Sequence, residues 1–250
     1  MPGWLEAGAW GLLGGGALLI GALVAWFVRV PSRVVATVMA FGAGVLVSAV
    51  AFDLTEEAVD QGGLGPTILG FAAGALAYVG ANLLLARHGA RHRKRSGDQQ
   101  PGADQQGSGA AIAIGALLDG VPESVVLGAS LLSGQGVSLS VLAAVFISNL
   151  PEGLSSAAGM KNAGRSARYV LGTWTAIALS AGVSALLGYL LLDGASGATL
   201  AVINAVAAGA ILTMIADTMI PEAFEKAHLF TGLITAAGFL VALSLTTQGG

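Results

Sequence analysis

Asp119-Gly120-Val121-Pro122-Glu123 and Ser148-Asn149-Leu150-Pro151-Glu152 lie in two successive apolar segments, and their reading decides the fold. Each sets a proline directly before a glutamate near the middle of a run long enough to cross a bilayer. An ionisable group at that depth costs several kcal/mol and persists mostly where it lines a cavity or a pathway. Two such groups in register therefore read as a site, with the rest of the chain as its housing.

The composition agrees with a bilayer setting. Of 250 residues, 55% are hydrophobic and only 10% charged, and mean hydropathy is +0.79. A soluble domain carries about 25% charged residues, so this chain cannot cover itself for water. Cysteine is absent, which removes disulfides, thiolate ligands and a cysteine nucleophile. The 38 glycines suit close helix contact, and Gly11-x-x-x-Gly15 and Gly70-x-x-x-Gly74 read as contact faces.

Spanning takes about 20 apolar residues. On that rule the chain predicts an all-α membrane protein, a single transmembrane domain over residues 1–250, with eight spans at roughly 7–28, 34–58, 65–87, 109–132, 137–160, 168–192, 198–221 and 229–246. The first span has no basic residue before it and runs to full length, unlike a signal peptide. Residues 88–108 form a polar, aperiodic connection, read as a flexible loop. The basic residues then select an orientation. Arg29 and Arg33 follow span 1; Arg87, Arg91, Arg93, Lys94 and Arg95 follow span 3; Lys161, Arg165 and Arg168 follow span 5; Lys226 follows span 7. All 11 fall on one face, which the positive-inside rule makes cytoplasmic, with both termini outside a cell membrane. Spans 2 and 7 end in related motifs, Asp53-Leu54-Thr55-Glu56-Glu57-Ala58 and Asp217-Thr218-Met219-Ile220-Pro221-Glu222-Ala223, and run in opposite directions. That pattern predicts an inverted repeat of spans 1–3 and 6–8 around spans 4 and 5.

Asp119, Pro122 and Glu123 are spaced i, i+3, i+4 and share a helix face; Ser148, Pro151 and Glu152 repeat the spacing, with Asn149 three before the glutamate. The short link Ser133 to Gly136 predicts antiparallel neighbours with both motifs at mid-depth. Each proline breaks its helix and releases the carbonyl four residues earlier, at Leu118 and Ile147. Carboxylates, an amide, a hydroxyl and loose carbonyls at one depth suit a divalent cation. Packing kinks with neutral, hydrogen-bonded acids would explain a single Pro-Glu, but two copies and a third at Pro221-Glu222 favour a site. Asp53, Glu56 and Glu57 at the outer end and Asp217, Glu222 and Glu225 at the inner end would complete a series able to draw cations inward. His88 and His92 sit among five basic residues and read as part of a headgroup-facing loop, and nothing marks His228.

At these residues the sequence resembles the ZIP (Zrt/Irt-like) family of divalent-metal transporters over most of its length. The family's helix 4 motif, His-Asn-x-Pro-Glu, maps onto Asp119, Gly120, Pro122 and Glu123; its helix 5 motif maps onto Ser148, Asn149, Pro151, Glu152 and Gly153. Gly42-Ala43-Gly44, leading to Asp53, is similar to family helix 2, with Met39 near a methionine ligand. Asp217, Thr218, Ile220, Pro221 and Glu222 match the helix 7 pattern. The resemblance implies a homodimeric carrier, not an enzyme, that moves zinc, manganese or iron inward through a site between spans 4 and 5. Asp119, Glu123, Asn149 and Glu152 would be the ligands, with Ser148 and Met39 beside them, Asp53 at the entrance, and Asp217 and Glu222 at the exit. No organic cofactor or nucleic acid is implied; the partners are the metal ion and membrane lipid. The departures are chemical: aspartate for histidine at 119, glycine for asparagine at 120, serine for histidine or glutamine at 148, and Ala181-Gly182-Val183-Ser184 where the family often carries Glu-Pro. Losing softer ligands and one bridging carboxylate predicts a shift toward manganese or iron(II), or one metal site in place of two, with zinc still accommodated. The same departures leave a rival reading, a ZIP-like metal sensor or scaffold that does not transport. A membrane hydrolase built on metal-bound water finds no histidine or nucleophile constellation to support it.

Overall fold

Long runs of Ala, Leu and Gly with hardly a charge must satisfy their backbone polar groups internally, and a helix does so within one segment. In the computed structural model, which describes residues 1–87, 108–133 and 136–248, every regular element is accordingly helical. The elements are α1 (Gly3–Phe27), α2 (Ser32–Ser48), α3 (Glu56–Gly62), α4 (Leu64–Arg87), α5 (Ser108–Ser130), α6 (Leu139–Asn162), α7 (Ala167–Leu192), α8 (Gly197–Met214), α9 (Ile220–Ala227) and α10 (Thr231–Gln248). A π-helical segment, Ala49–Thr55, carries α2 into α3, and a second, Ile215–Met219, carries α8 into α9. The loop expected over 88–108, with His88 and His92, lies outside the described residues up to Gly107.

Serine hydroxyls start three of the long helices. Ser138, Ser166 and Ser196 each accept a backbone N–H from the first turn of α6, α7 and α8, satisfying one otherwise orphaned donor. Among the described residues, six stretches are long and apolar enough to cross a membrane: Gly3–Phe27, Ser32–Gly62, Leu64–Leu85, Leu139–Asn162, Ala167–Leu192 and Gly197–Thr246. The last holds 50 residues and is interrupted by the turn His228–Phe230, where His228 takes a φ of 47°.

The prolines do not break their helices. Pro122 lies inside α5 and Pro151 inside α6, and both helices run on past them. Nor do α5 and α6 pack closely on each other, despite their short link. α1 lies along α6 and α7 along α5, while α1 and α7 pack together; α2 pairs with α10, and α4 with α8.

Glycines set these contacts. A methyl group at Gly21 would fall within 3.0 Å of the Leu150 carbonyl oxygen, and one at Gly153 within 3.0 Å of the Leu18 oxygen. The same reciprocal pattern joins Gly128 with Gly188 through Ala185 and Val125, Gly44 with Gly238 through Thr235 and Phe41, and Gly74 with Gly209 through Val206 and Phe71. In all four pairs each glycine meets the carbonyl three residues before its partner glycine. Bare Cα atoms let the backbones approach this closely, which is how apolar helices gain packing energy without a hydrophobic drive between them. The expected contact faces hold too: Gly11 and Gly15 meet Ala185 and Ala181 of α7, and Gly70 and Gly74 meet α8.

Candidate metal-binding site

The acids of the two Pro-Glu motifs are inside the protein. Asp119 and Glu152 are each 4% exposed and Glu123 3%; Ser124, Ser148 and Asn149 are buried beside them. Of the 14 acidic residues in the chain, these three and Glu222 are the ones buried among the described residues. A buried carboxylate is tolerated only with partners, and the structure supplies several. The Tyr78 hydroxyl, on α4, donates to Asp119 Oδ1 at 2.8 Å, and Tyr78 is itself buried. Ser155, one turn after Glu152 on α6, donates to Glu222 Oε1 on α9 through a short hydrogen bond. Glu222, expected at an inner exit, is thus tied to the helix that carries Glu152.

The polar neighbours are partly engaged with backbone. Asn149 Nδ2 donates to the Gly14 carbonyl of α1 at 3.1 Å, which leaves its Oδ1 as the acceptor able to face an ion. Ser148 Oγ donates to the Val145 carbonyl at 3.0 Å, and Ser124 Oγ to the Gly120 carbonyl at 2.7 Å. These hydroxyls bond back to carbonyls of their own helices and not to Leu118 or Ile147, the carbonyls that the prolines release. Met39 is buried in the main core cluster with Val145, Met214 and Met219. Three residues on, Gly42 lets α2 pass against the backbone of Ser148.

Glu123 lines a small apolar cavity with Ala49, Val50 and Leu54 of the first π-helical segment and Val141 and Val145 of α6. Beyond it, Asp53 is half-buried in that same segment and accepts from Ser140 Oγ at 2.6 Å. Glu57, also half-buried, accepts from Gln61 Nε2 at 2.8 Å; Glu56 is exposed. The second π-helical segment carries Asp217, which is exposed, as is Glu225; the structure does not bring either into the buried group. Ala181, where a bridging carboxylate was missing from the sequence, is buried against Gly15 of α1, so a larger side chain there has no room. Among the described residues no three His, Cys, Asp or Glu side chains come close enough together to hold an ion.

Sequence reasoning missed Tyr78, Ser155 and Ser140. Ser155 shares a helix face with Glu152 by its i+3 spacing, and Tyr78 is the lone tyrosine of an otherwise apolar span, so both carried a readable signal. Tyr78→Phe removes the donor and keeps the ring, which should lower stability by about 1–3 kcal/mol. Thermal unfolding of the purified protein in detergent measures this; an unchanged midpoint would show that Asp119 does not depend on the phenol.

Fold and site together define an all-helical protein with several long apolar helices and a buried carboxylate group. No family model matches the sequence, and no curated protein matches it.

Proposed function

We propose that the protein is a ZIP-like carrier that moves a divalent cation (zinc, manganese or iron) inward across a cell membrane. The observation that carries the reading is the burial of Asp119, Glu123 and Glu152, with Asn149 and Ser148, on two helices that make little direct contact with each other. Acids placed in the interior and not toward lipid are what a cation pathway requires. The Tyr78 hydroxyl on α4 would hold Asp119, and Ser155 on α6 would hold Glu222, for a hard or borderline ion.

The packing supports an eight-span arrangement with an inverted repeat, Gly197–Thr246 contributing spans 7 and 8. If spans 1, 2 and 3 exchange with 6, 7 and 8, and span 4 with span 5, the contact of α1 with α6 becomes that of α7 with α5, and that of α2 with α10 becomes that of α8 with α4. The reciprocal glycine pairs exchange in the same way, and the two π-helical segments, each holding an aspartate, fall at corresponding places. On this reading the basic helix ends face the cytoplasm. Entry would pass Asp53 and the apolar cavity beside Glu123; exit would pass Glu152, Ser155 and Glu222.

The absence of a three-acid group among the described residues, together with Ala181, favours a second reading, a metal-binding sensor or scaffold that does not transport. Reconstituting the full chain into liposomes and following entry of Mn²⁺, Zn²⁺ and Fe²⁺ in competition separates the two. Time-dependent, saturable accumulation inside the vesicles is expected. Binding that saturates at protein stoichiometry with no accumulation would overturn transport and leave the sensor.

A further inference from the structure

Away from the acids, the basic end of the bundle contains a second place built for a ligand. α1 runs antiparallel to α7 and parallel to α6, so the end of α1, the end of α6 and the start of α7 gather there. Between the first two and the start of α2 lies an open pocket whose lining includes Val28, Arg29, Val30, Leu154, Lys161 and Asn162. Its wall is aliphatic and its rim cationic, and among the described residues no carboxylate lines it. Lys161 is held in place: its Nζ donates to the Trp26 carbonyl at 2.6 Å and lies 5.3 Å from the centre of the Trp26 ring. A tryptophan and a lysine at the end of an apolar helix are the usual furniture of a membrane interface. Lys161 has two further N–H donors, and Arg29 presents a planar fork suited to phosphate oxygens.

We propose that this pocket binds one anionic phospholipid from the leaflet at the basic end of the bundle. The phosphate, with no headgroup cation to offset its charge, would sit on Arg29 and Lys161 beside Asn162, and an acyl chain would run along Val28, Val30 and Leu154. A free phosphate ester shares the headgroup chemistry, but the aliphatic wall gives it nothing to bind, so the lipid is the occupant the lining selects. The proposal is independent of any ion passing through the centre, because none of the buried acids lines this pocket.

The test uses the full chain in detergent, incubated with equimolar phosphatidylglycerol and phosphatidylcholine and released for native mass spectrometry. One phosphatidylglycerol should be retained over phosphatidylcholine by about thirtyfold, the scale set by two cationic groups near a headgroup at about 1 kcal/mol each. Arg29→Gln with Lys161→Gln should abolish that preference, while Arg168→Gln, a basic residue outside the pocket, should keep it. Arg29→Gln alone, which leaves the Lys161–Trp26 contact intact, provides a reading if the double variant does not fold, and should weaken the preference several-fold. Equal retention of the two lipids by the native protein, or a preference that survives in these variants, would overturn the site. Displacement of phosphatidylglycerol by millimolar glycerol 3-phosphate would overturn the lipid in favour of a soluble phosphate ester.

Discussion

Glu123→Ala and Glu152→Ala should each reduce divalent-ion entry into liposomes to the level of protein-free vesicles, while the purified variants still elute as folded, helical protein. The expectation follows from burial. Each glutamate is almost fully enclosed on a helix that makes little direct contact with the other, so an ion crossing between α5 and α6 has few other anionic groups to replace its water. On the carrier reading, the loss of either carboxylate could not be offset by the neighbouring hydroxyls, which already serve backbone carbonyls. Glu123→Gln and Glu152→Gln keep the shape and remove the charge, and should behave alike. Native rates of entry in either alanine variant would refute the ligand assignment, and with it the carrier reading.

Gly153→Ala should lose more stability than most larger changes on the surface of the bundle, by about 3 kcal/mol or more, because the new methyl group meets the Leu18 carbonyl with nowhere to go. The obstacle is backbone, so side-chain rotation gives no relief and α1 must back away from α6. Gly15→Ala meets the Ala181 β-carbon, which is a side-chain atom but is fixed to its backbone and cannot rotate away. Gly16 and Gly172, with no neighbour within 4 Å of an added methyl, provide the contrast. Alanine there should be neutral or stabilising by up to about 1 kcal/mol, the helix-propensity gain over glycine. Thermal unfolding of the four variants in one detergent decides the matter. Similar midpoints for Gly15→Ala and Gly16→Ala would mean that the helices are not packed as tightly as the glycine pairs require.

Much of the helical layout could be read from the amino acids, because the physics that makes it is local. The apolar runs alone placed the starts of α6, α7 and α8 to within a few residues, and the structure adds the serine caps that fix them. Burial of Asp119, Glu123 and Glu152 followed from the cost of the alternative at that depth. What could not be read depended on partners far along the chain. Tyr78 and Asp119 are 41 residues apart, and Ser155 and Glu222 are 67 apart. The short link between α5 and α6 suggested direct packing, but glycines on α1 and α7 offered closer contact than either helix offers the other. Pro122 and Pro151 looked like breaks, yet the helices on either side are clamped by neighbours, and continuing costs less than exposing unpaired backbone. Asp217 was placed at the inner exit by its position at the end of span 7, and the structure leaves it exposed, away from the buried acids. α8 is apolar around its whole circumference, so no stripe of polarity showed which way the next turn would face.

The π-helical segments have a consequence for how this chain tolerates changes in length. Each accommodates one residue more than a regular α-helical path would need. Deleting a single residue within Ala49–Thr55 would let regular α-helical winding return with the residues beyond it still in phase, so Ala58 would keep its place against Ala201 and Ala205. The same deletion in the regular turns of α2 would rotate everything beyond it by about 100° about the helix axis. The π-helical segment is therefore where this helix can lose a residue without changing the direction in which α3 faces.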